Sequence, residues 1–344
     1  MGALEMDSFL STLENKRGGI KTHGIDMARQ MPFYGLYDDF INHRIENGDK
    51  PSRWKDYQHY SIGFLTRRCY RHCPFCVNRL ENGVIPYSHL EWFHDPSRRH
   101  VYFWDDNFLA SPYSVWKPIL QGLIDKRISF QFRQGLDIRQ FVESEHGEEM
   151  AMMLSQCRYH GDVIFAFDNW KDRDLIEQAL KVWRKHNPKK STKLYLFTGF
   201  LQKTDDRKRF YRDIVELFSR MRVLGQYGCL GYVMRHEDYK QAPISNLYTQ
   251  IARWANQPAI YKKMTFWQFC YREQSAWEQR HLPHLNRPIL MTFEEFEQER
   301  ASGFYEHTSK MCLPLRTLLE TLAMFPEHRE ELLSMWNEHP LASK

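Results

Sequence analysis

The sequence predicts an α/β protein built on an open, partial (β/α)6 barrel, with an N-terminal extension and a helical C-terminal region. Six apolar, β-prone runs alternate with amphipathic stretches, and the starts of the runs lie about 28 to 40 residues apart. This spacing is typical of strand–helix units with parallel strands. The predicted strands are 60–66, 100–104, 128–133, 162–167, 193–199 and 228–234.

The stretches between these runs show helical periodicity. In the first of them apolar residues recur at helical spacing, which indicates a buried helix face. They are Val115, Ile119, Leu120, Leu123 and Ile124. The predicted helices are 113–126, 143–157, 172–187 and 207–223. We expect three parts: residues 1–59 as an extension with a short helix at Asp7–Asn15, residues 60–236 as the barrel, and residues 237–344 as helices. In the last part the predicted helices are 247–254, 264–277, 293–299 and 315–324.

A short loop directly after the first predicted strand contains Cys69, Cys73 and Cys76. Thiolates this close together can bind one soft metal centre. Three ligands are one fewer than a closed four-cysteine cluster needs, so an iron–sulfur cube held here would leave one iron open to an outside ligand. A zinc site with His72 as the fourth ligand, or three unrelated structural cysteines, are the alternatives.

The spacing Cys-x3-Cys-x2-Cys, with Phe75 just before the last cysteine, resembles the signature of the radical SAM superfamily. The resemblance implies a [4Fe–4S] cluster on Cys69, Cys73 and Cys76, whose open iron binds S-adenosylmethionine. It implies reductive cleavage of that cofactor to a 5′-deoxyadenosyl radical, which abstracts hydrogen from an organic substrate. It also implies a partial barrel and an electron donor such as flavodoxin or ferredoxin.

The loops that follow parallel strands form the working rim of such a barrel. After the second strand, Asp105, Asp106 and Asn107 resemble a segment of the cobalamin-type and methylthiotransferase-like branch of the superfamily. The resemblance places them beside the amino group of S-adenosylmethionine, where they contact the cation or support the loop. The alternative is an ordinary strand-end turn, which also favours Asp and Asn.

The segment after the third strand, Gln134–Arg139, resembles the same branch and includes Asp137. There Gly135 would permit a close approach of the cofactor to the backbone. Either Arg133 or Arg139 would pair with the methionyl carboxylate, or would make an ordinary salt bridge.

Two further loops complete the predicted rim. We expect Asp168, at the end of the fourth strand, to contact the ribose or the substrate. At the end of the fifth strand, Thr198 and Gly199 would let the adenine approach the backbone.

The sequence also departs from that branch. Cobalamin-dependent members carry a large N-terminal domain with an Asp-x-His-x-x-Gly motif, which this sequence lacks, so cobalamin is not expected. The extra domains of the methylthiotransferases are not evident, so sulfur insertion is not expected. The resemblance covers residues 60–236 and says little about the substrate.

The substrate class is inferred from charge and aromatic content together, because a mild net positive charge alone does not establish a nucleic-acid partner. The net charge is +5, aromatic residues make up 15% of the chain, and the basic run Lys203–Arg209 follows the fifth strand. These features favour a nucleotide or nucleic-acid base as the substrate. A peptide or protein side chain and a small metabolite are the alternatives. A non-catalytic iron–sulfur or zinc protein that binds nucleic acid through the aromatic and basic residues of its C-terminal region is a candidate from another class.

The sequence predicts a cytoplasmic protein without a membrane partner. No apolar run reaches the length of a membrane span, and the first residues lack the profile of a secretion signal. Four further cysteines stand apart from one another, which indicates neither a disulfide framework nor a second cluster.

Overall fold

The computed structural model describes residues 31–200, 207–285, 288–305, 311–339 and 341, and shows a mixed α/β fold with parallel sheets. The predicted helix Asp7–Asn15 and the first four residues of the basic run Lys203–Arg209 lie outside the described residues. The strands are β1 (Tyr60–Gly63), β2 (Thr66–Arg67), β3 (Ile85–Pro86), β4 (His100–Phe103), β5 (Phe130–Phe132), β6 (Val163–Ala166), β7 (Thr192–Thr198) and β8 (Leu230–Arg235).

The helices outnumber the strands in the described residues. They are α1 (Asp38–Glu46), α2 (Lys55–His59), α3 (Tyr113–Asp125), α4 (Gln140–Glu143), α5 (Gly147–Gln156), α6 (Arg173–His186), α7 (Arg207–Gln226), α8 (Ser245–Ala255), α9 (Pro258–Tyr261), α10 (Phe266–His281), α11 (Phe293–Ala301), α12 (Leu313–Met324) and α13 (Arg329–Asn337). Among the described helices, none has both the length and the apolar character needed to cross a bilayer.

The chain forms two compact units. The first comprises the residues up to Phe165 together with Gln178–Ser191, and the second comprises Ala166–Glu177 together with the residues from Thr192 onward. Each unit contains parallel strands.

The first unit is built on a parallel sheet of order β1–β4–β5. Ser61, Val101 and Phe130 are in register and fully buried on one face of this sheet. Phe103 and Phe132 continue that face, and their rings lie 5.1 Å apart. Because the three strands are parallel, their carboxyl ends lie at the same edge of the sheet.

A short antiparallel hairpin, β2–β3, follows β1 in the first unit. A single parallel bridge between Leu136 and Phe165 ties the segment after β5 to β6. Helix α6 adds Trp183, whose ring packs edge-on against Phe165 at 5.3 Å. The buried face predicted for α3 is confirmed in part: Leu120 and Leu123 are buried together with Trp116, whereas Val115, Ile119 and Ile124 are only half-buried.

The second unit is built on the parallel pair β7–β8, in register from Lys193 opposite Leu230 to Thr198 opposite Arg235. Its C-terminal helices bury large aromatic rings, among them Trp254 and Trp267. The indole N–H of Trp254 donates to the carbonyl of Met264 at 3.0 Å, and that of Trp267 donates to the carbonyl of Met291 at 2.8 Å. These rings form a core. Where aromatic and basic residues alternate in this region, the aromatic residues are therefore part of the core and the basic residues are exposed.

The six predicted strands and the four helices between them are confirmed; all of these strands except β7 are shorter than expected. The four predicted C-terminal helices are also confirmed, as α8, α10, α11 and α12. The elements that the sequence analysis did not predict include the hairpin β2–β3 and the helices α2, α9 and α13. The hairpin has only two residues in each strand, which is too short for a periodic pattern.

Candidate functional site

The cysteine loop begins at the end of β2. Arg68 and His72 adopt left-handed backbone conformations, with φ of 77° and 49°, which non-glycine residues rarely do. The amide of Cys76 donates to the carbonyl of Cys73 at 2.9 Å, which closes a tight turn within the motif. All three cysteine side chains are half-buried thiols. The motif is therefore a sharply folded loop whose sulfur atoms are partly accessible.

Three N–H groups point at sulfur atoms of this loop. The amide of Arg71 and the side-chain Nδ2 of Asn107 each donate to Cys69 Sγ at 3.4 Å. The amide of Asn78 donates to Cys76 Sγ at 3.4 Å. Donors of this kind stabilise negative charge on sulfur, and they are one of the means by which proteins tune iron–sulfur clusters.

The alternative zinc site would use His72 as the fourth ligand. Its Nδ1 lies 2.9 Å from the carbonyl oxygen of Arg79, and because a carbonyl only accepts, this nitrogen is the donor. In the part of the chain that the structure describes, no group of three or more His, Cys, Asp and Glu side chains is arranged to hold a metal ion. Each thiolate of an iron–sulfur cube binds a different iron, so the three sulfurs need not converge on one point. The cluster stays a prediction.

Asp105 is the anchor of the cysteine loop. This carboxylate is only 3% exposed, and it accepts from the amide of Leu65 at 3.1 Å through Oδ2. Its Oδ1 accepts from the amide of Thr66 at 2.5 Å and from the hydroxyl of Thr66 at 2.7 Å. Burial raises the pKa of Asp105 to about 7, although each of these donors acts in the opposite direction. Of the two roles predicted for Asp105, support of the loop is the one observed.

Asp106 supports the same loop from the next position. Its Oδ2 accepts from the amide of Arg68 at 2.7 Å and lies 3.4 Å from Nε of Arg67. The bond to the Arg68 amide secures one of the two left-handed residues of the loop. The consecutive carboxylates that follow β4 therefore fix successive residues of the chain that leads to Cys69.

Asn107 lies between the loop and a buried ion pair. It is 4% exposed, and its Nδ2 lies 3.5 Å from Oδ2 of Asp137 as well as 3.4 Å from Cys69 Sγ. Its Oδ1 is buried without a hydrogen-bond partner in the described residues. An acceptor buried in this state carries a free-energy penalty of about 1–3 kcal/mol. A ligand that brings a donor to this position would remove the penalty.

Asp137 is held by two arginines. Arg71 Nε lies 2.6 Å from its Oδ2, and Arg139 Nε lies 2.7 Å from its Oδ1. Burial alone would raise the pKa of Asp137, but the guanidinium groups of Arg139 and Arg71 outweigh it and hold the pKa below its ordinary value. Of the alternatives predicted for Arg139, the structure shows the salt bridge within the protein.

Arg71 also binds Glu143 on α4 through both of its terminal nitrogens. Gln140 of the same helix donates to the hydroxyl of Tyr70 at 2.8 Å. The guanidinium of Arg71 lies 4.7 Å from the ring of Tyr70. The middle of the cysteine motif is thus attached to α4 by a residue from within the motif itself.

The remaining predicted residues of the first unit occupy separate positions. Arg133 donates through Nη1 to the side chain of Gln131 at 3.0 Å, and its guanidinium lies 4.4 Å from the ring of Tyr102. Gly135 has φ of 84°, a conformation that glycine adopts without strain. Phe75 is half-buried on the loop. The predicted cofactor contacts of Arg133, Gly135 and Phe75 stay predictions.

In the second unit, Thr198 and Gly199 are held by a single carboxylate oxygen. Oδ2 of Asp213 accepts from the Thr198 hydroxyl at 2.7 Å and from the Gly199 amide at 2.8 Å. The same oxygen accepts from the hydroxyl of Tyr248 at 2.5 Å. Gly199 has φ of 78°, and a Cβ atom at this position would lie 2.7 Å from Cβ of Tyr239. The close approach that this glycine permits in the structure is that of Tyr239, and its adenine contact stays a prediction.

The backbone at Asp168 is held by a buried arginine of α7. Arg220 is 2% exposed, and its Nη1 donates to the carbonyls of Phe167 at 2.9 Å, Asp168 at 3.0 Å and Phe197 at 2.9 Å. Burial lowers the pKa of Arg220, and nearby Asp213 opposes that effect. The predicted ribose or substrate contact of the Asp168 side chain stays a prediction.

The sequence analysis missed four charged residues that position the predicted loops: Arg71, Glu143, Asp213 and Arg220. Only Arg71 carried a local signal, because it lies inside the cysteine motif. Asp213 and Arg220 are on the long helix α7, where charged residues ordinarily face solvent. No family model matches the chain, and no curated protein matches it either.

Proposed function

We propose that this protein is a radical SAM enzyme. In this proposal Cys69, Cys73 and Cys76 hold one [4Fe–4S] cluster, which binds and reductively cleaves S-adenosylmethionine. The six strand–helix units form an open, partial (β/α)6 barrel around the reaction. The parallel pairing of strands in both units supports this architecture.

The attachment of Cys69 to Asn107 is the observation that carries the proposal. The residues that follow β4 hold the approach to the cysteine loop through Asp105 and point an amide N–H at Cys69 Sγ through Asn107. Both groups lie at the carboxyl edge of a parallel sheet, where enzymes of this class of fold position their ligands. A loop of unrelated structural cysteines would not require an N–H group aimed at sulfur from another strand end.

The side chains of this site would perform distinct tasks. The bound cluster and S-adenosylmethionine would supply a 5′-deoxyadenosyl radical for hydrogen abstraction. Asn107 would stabilise the thiolate of Cys69 through Nδ2 and offer Oδ1, its buried acceptor, to a donor group of the cofactor such as the methionyl ammonium. Asp105 would keep the loop in place, and Arg71 would hold the middle of the motif against Asp137.

A nucleotide or nucleic-acid base is the proposed substrate class. The net charge of +5 favours association with phosphate groups. The reducing electron would come from an external donor such as flavodoxin or ferredoxin.

The decisive experiment is anaerobic reconstitution with iron and sulfide, followed by addition of dithionite and S-adenosylmethionine. We expect a brown protein with about four irons per chain that produces 5′-deoxyadenosine, measured by liquid chromatography and mass spectrometry. Cys73→Ala should abolish this product and leave the far-ultraviolet circular dichroism unchanged. Cys312→Ala, which alters a half-buried cysteine outside the motif, is the matched control and should retain the product.

Two results would contradict the proposal. The first is a colourless protein after reconstitution, or one that contains zinc with four protein ligands. The second is production of 5′-deoxyadenosine by the Cys73→Ala variant at the rate of the unaltered protein.

A further inference from the structure

The face of the first sheet opposite its buried aromatic side carries a defined layer at the carboxyl edge. Ile62, Tyr102 and Gln131 are in register, and side chains alternate along a strand, so they share this face. Two residues further along, the same face carries Trp104 and Arg133. The hydrogen bonds between the strands continue to this layer, because the Trp104 amide donates to the carbonyl of Gly63 at 3.0 Å and the Arg133 amide donates to the carbonyl of Phe103 at 2.9 Å.

Contacts within the face support this assignment. The guanidinium of Arg133 lies 4.4 Å from the ring of Tyr102, so both side chains point to the same side of the sheet. The ring of Tyr60 stacks on Tyr102 at 4.0 Å, one layer further from the carboxyl edge. The part of this face that lies further from the carboxyl edge is therefore covered by aromatic rings that pack against one another.

Trp104 differs from these packed rings. It is 36% exposed, and the other nine tryptophans of the chain, all of them in the described residues, are less exposed. No aromatic ring of the described residues packs against it. Ile62, on the same face, is 41% exposed. An exposed indole and an exposed aliphatic side chain therefore share this face, at the edge where the cysteine loop is anchored.

We propose that Trp104 is the stacking platform for the planar base of a nucleotide or nucleic-acid substrate, with Arg133 supplying positive charge in the same layer. This inference rests on the proposed function, because the base is the group on which the enzyme would act. An indole face binds any nucleobase by stacking, and an arginine in the same layer favours the phosphate that accompanies a base over a neutral peptide side chain. Trp104 directly precedes Asp105, the anchor of the loop, so the platform and the cofactor site share one strand end.

The test measures binding of ligands to the reconstituted protein by equilibrium dialysis. The probes are the four common ribonucleosides and their 5′-monophosphates, single-stranded RNA of about 12 nucleotides, and a neutral tripeptide with a central tryptophan. We expect Trp104→Ala and Trp104→Leu, which both remove the aromatic face, to weaken binding of at least one nucleobase probe by about tenfold or more, and Trp104→Phe to weaken it less. Trp277→Ala, which removes a half-buried tryptophan of the second unit, is the control and should bind as the unaltered protein does.

The probes separate the possible sources of the base. A loss confined to RNA identifies a nucleic-acid substrate, and a loss with nucleosides or monophosphates identifies a free nucleotide; either supports the platform. The inference is overturned if Trp104→Leu binds every base as tightly as the unaltered protein, if no base probe binds, or if only the tripeptide depends on Trp104.

The same preparations report on the proposed function separately. If the unaltered protein forms no 5′-deoxyadenosine while base binding depends on Trp104, the radical chemistry is wrong and the platform stands. If 5′-deoxyadenosine forms while base binding is indifferent to Trp104, the platform is wrong and the radical chemistry stands.

Discussion

The strand ends of the two units are stabilised by carboxylates that work in different ways, one buried and one half-buried. In the first unit, Asp105 uses both oxygens to hold two consecutive residues of the chain that leads to the cysteines. In the second unit, Asp213 gathers Thr198, Gly199 and Tyr248 on a single oxygen. The first arrangement fixes the direction of a loop, whereas the second ties a strand end to a helix of the core.

The two strand ends also differ in which of their polar groups are hydrogen-bonded within the described residues. In the first unit the buried Oδ1 of Asn107 lacks a hydrogen-bond partner in the described residues, next to a half-buried thiol. In the second unit the Thr198 hydroxyl and the Gly199 amide both donate to Asp213. At the first strand edge a buried acceptor thus lacks a partner within the described residues, whereas at the second the Thr198 hydroxyl and the Gly199 amide are already hydrogen-bonded within the protein.

The largest expected effect is that of Asp105→Ala. The change leaves two backbone amides and a hydroxyl without their acceptor in a buried position, and we expect a loss of about 4 kcal/mol in the free energy of unfolding. Because the loop loses its anchor, iron bound after reconstitution should fall below about half of the normal content. Urea unfolding and iron analysis measure the two effects.

Asp213→Ala is the matched change in the second unit, since it also removes one acceptor from three donors. We expect a loss of about 3 kcal/mol in the free energy of unfolding with iron content unchanged. Equal loss of iron in the two variants would remove the distinction between the two strand edges.

The next largest effect is a pH dependence that comes from Asp105. Burial raises its pKa to about 7, so the folded protein keeps this proton where the unfolded chain, with an ordinary pKa of 3.8, has released it. The free energy of unfolding should therefore fall by about 3 kcal/mol as the pH rises from about 4 to about 7, relative to a variant without this carboxyl. Asp137, whose pKa is lowered, has the opposite sign and acts at more acidic pH, where stability is lost as the pH falls.

Urea unfolding at pH 4.5 and pH 7.5, in the unaltered protein and in Asp105→Asn, isolates this contribution. For each protein, the free energy of unfolding at pH 7.5 is subtracted from that at pH 4.5, and these two differences are compared. The part of the substitution's cost that does not depend on pH therefore cancels. A pH dependence that is equal in both proteins would show that Asp105 ionises normally in the folded state.

A smaller effect distinguishes the two carboxylates by the number of oxygens they use. Asparagine offers one acceptor oxygen, which is sufficient at Asp213 but not at Asp105, where the amide nitrogen would face a backbone N–H. We expect Asp105→Asn to cost about 2 kcal/mol and Asp213→Asn to cost less than about 1 kcal/mol, measured by urea unfolding at pH 7.5. A reversed order would contradict the hydrogen-bond assignments of both residues.

The secondary structure could be predicted because its signals are local. The apolar run that contains Val101 and the helical repeat of Leu120 and Leu123 are periodic patterns in short windows, and the burial that they imply is observed. The cysteine motif was equally readable, since all its members lie within eight residues.

The roles of the rim residues could not be predicted to the same extent, because they depend on partners far away in sequence. Asp105 meets Thr66 across 39 residues, and Asp137 meets Arg71 across 66 residues. A sequence shows a carboxylate at a strand end, but it does not show whether that carboxylate faces a ligand or a backbone amide. The sequence analysis assigned no role to Trp104, since exposure of an indole is a tertiary property.

The smallest expected effect concerns Arg71, which joins the cysteine motif to Asp137 and Glu143. Arg71→Lys keeps the charge but loses the fork that reaches both carboxylates, so we expect a loss of about 1 kcal/mol in the free energy of unfolding. The matched control is Arg173→Lys, because Arg173 pairs with an Asp174 side chain that is 79% exposed, and such surface pairs contribute little. If the two substitutions reduce the free energy of unfolding by the same small amount, the ion pairs of Arg71 contribute no more than an exposed pair does. The loop would then depend on Asp105 and Asp106 alone.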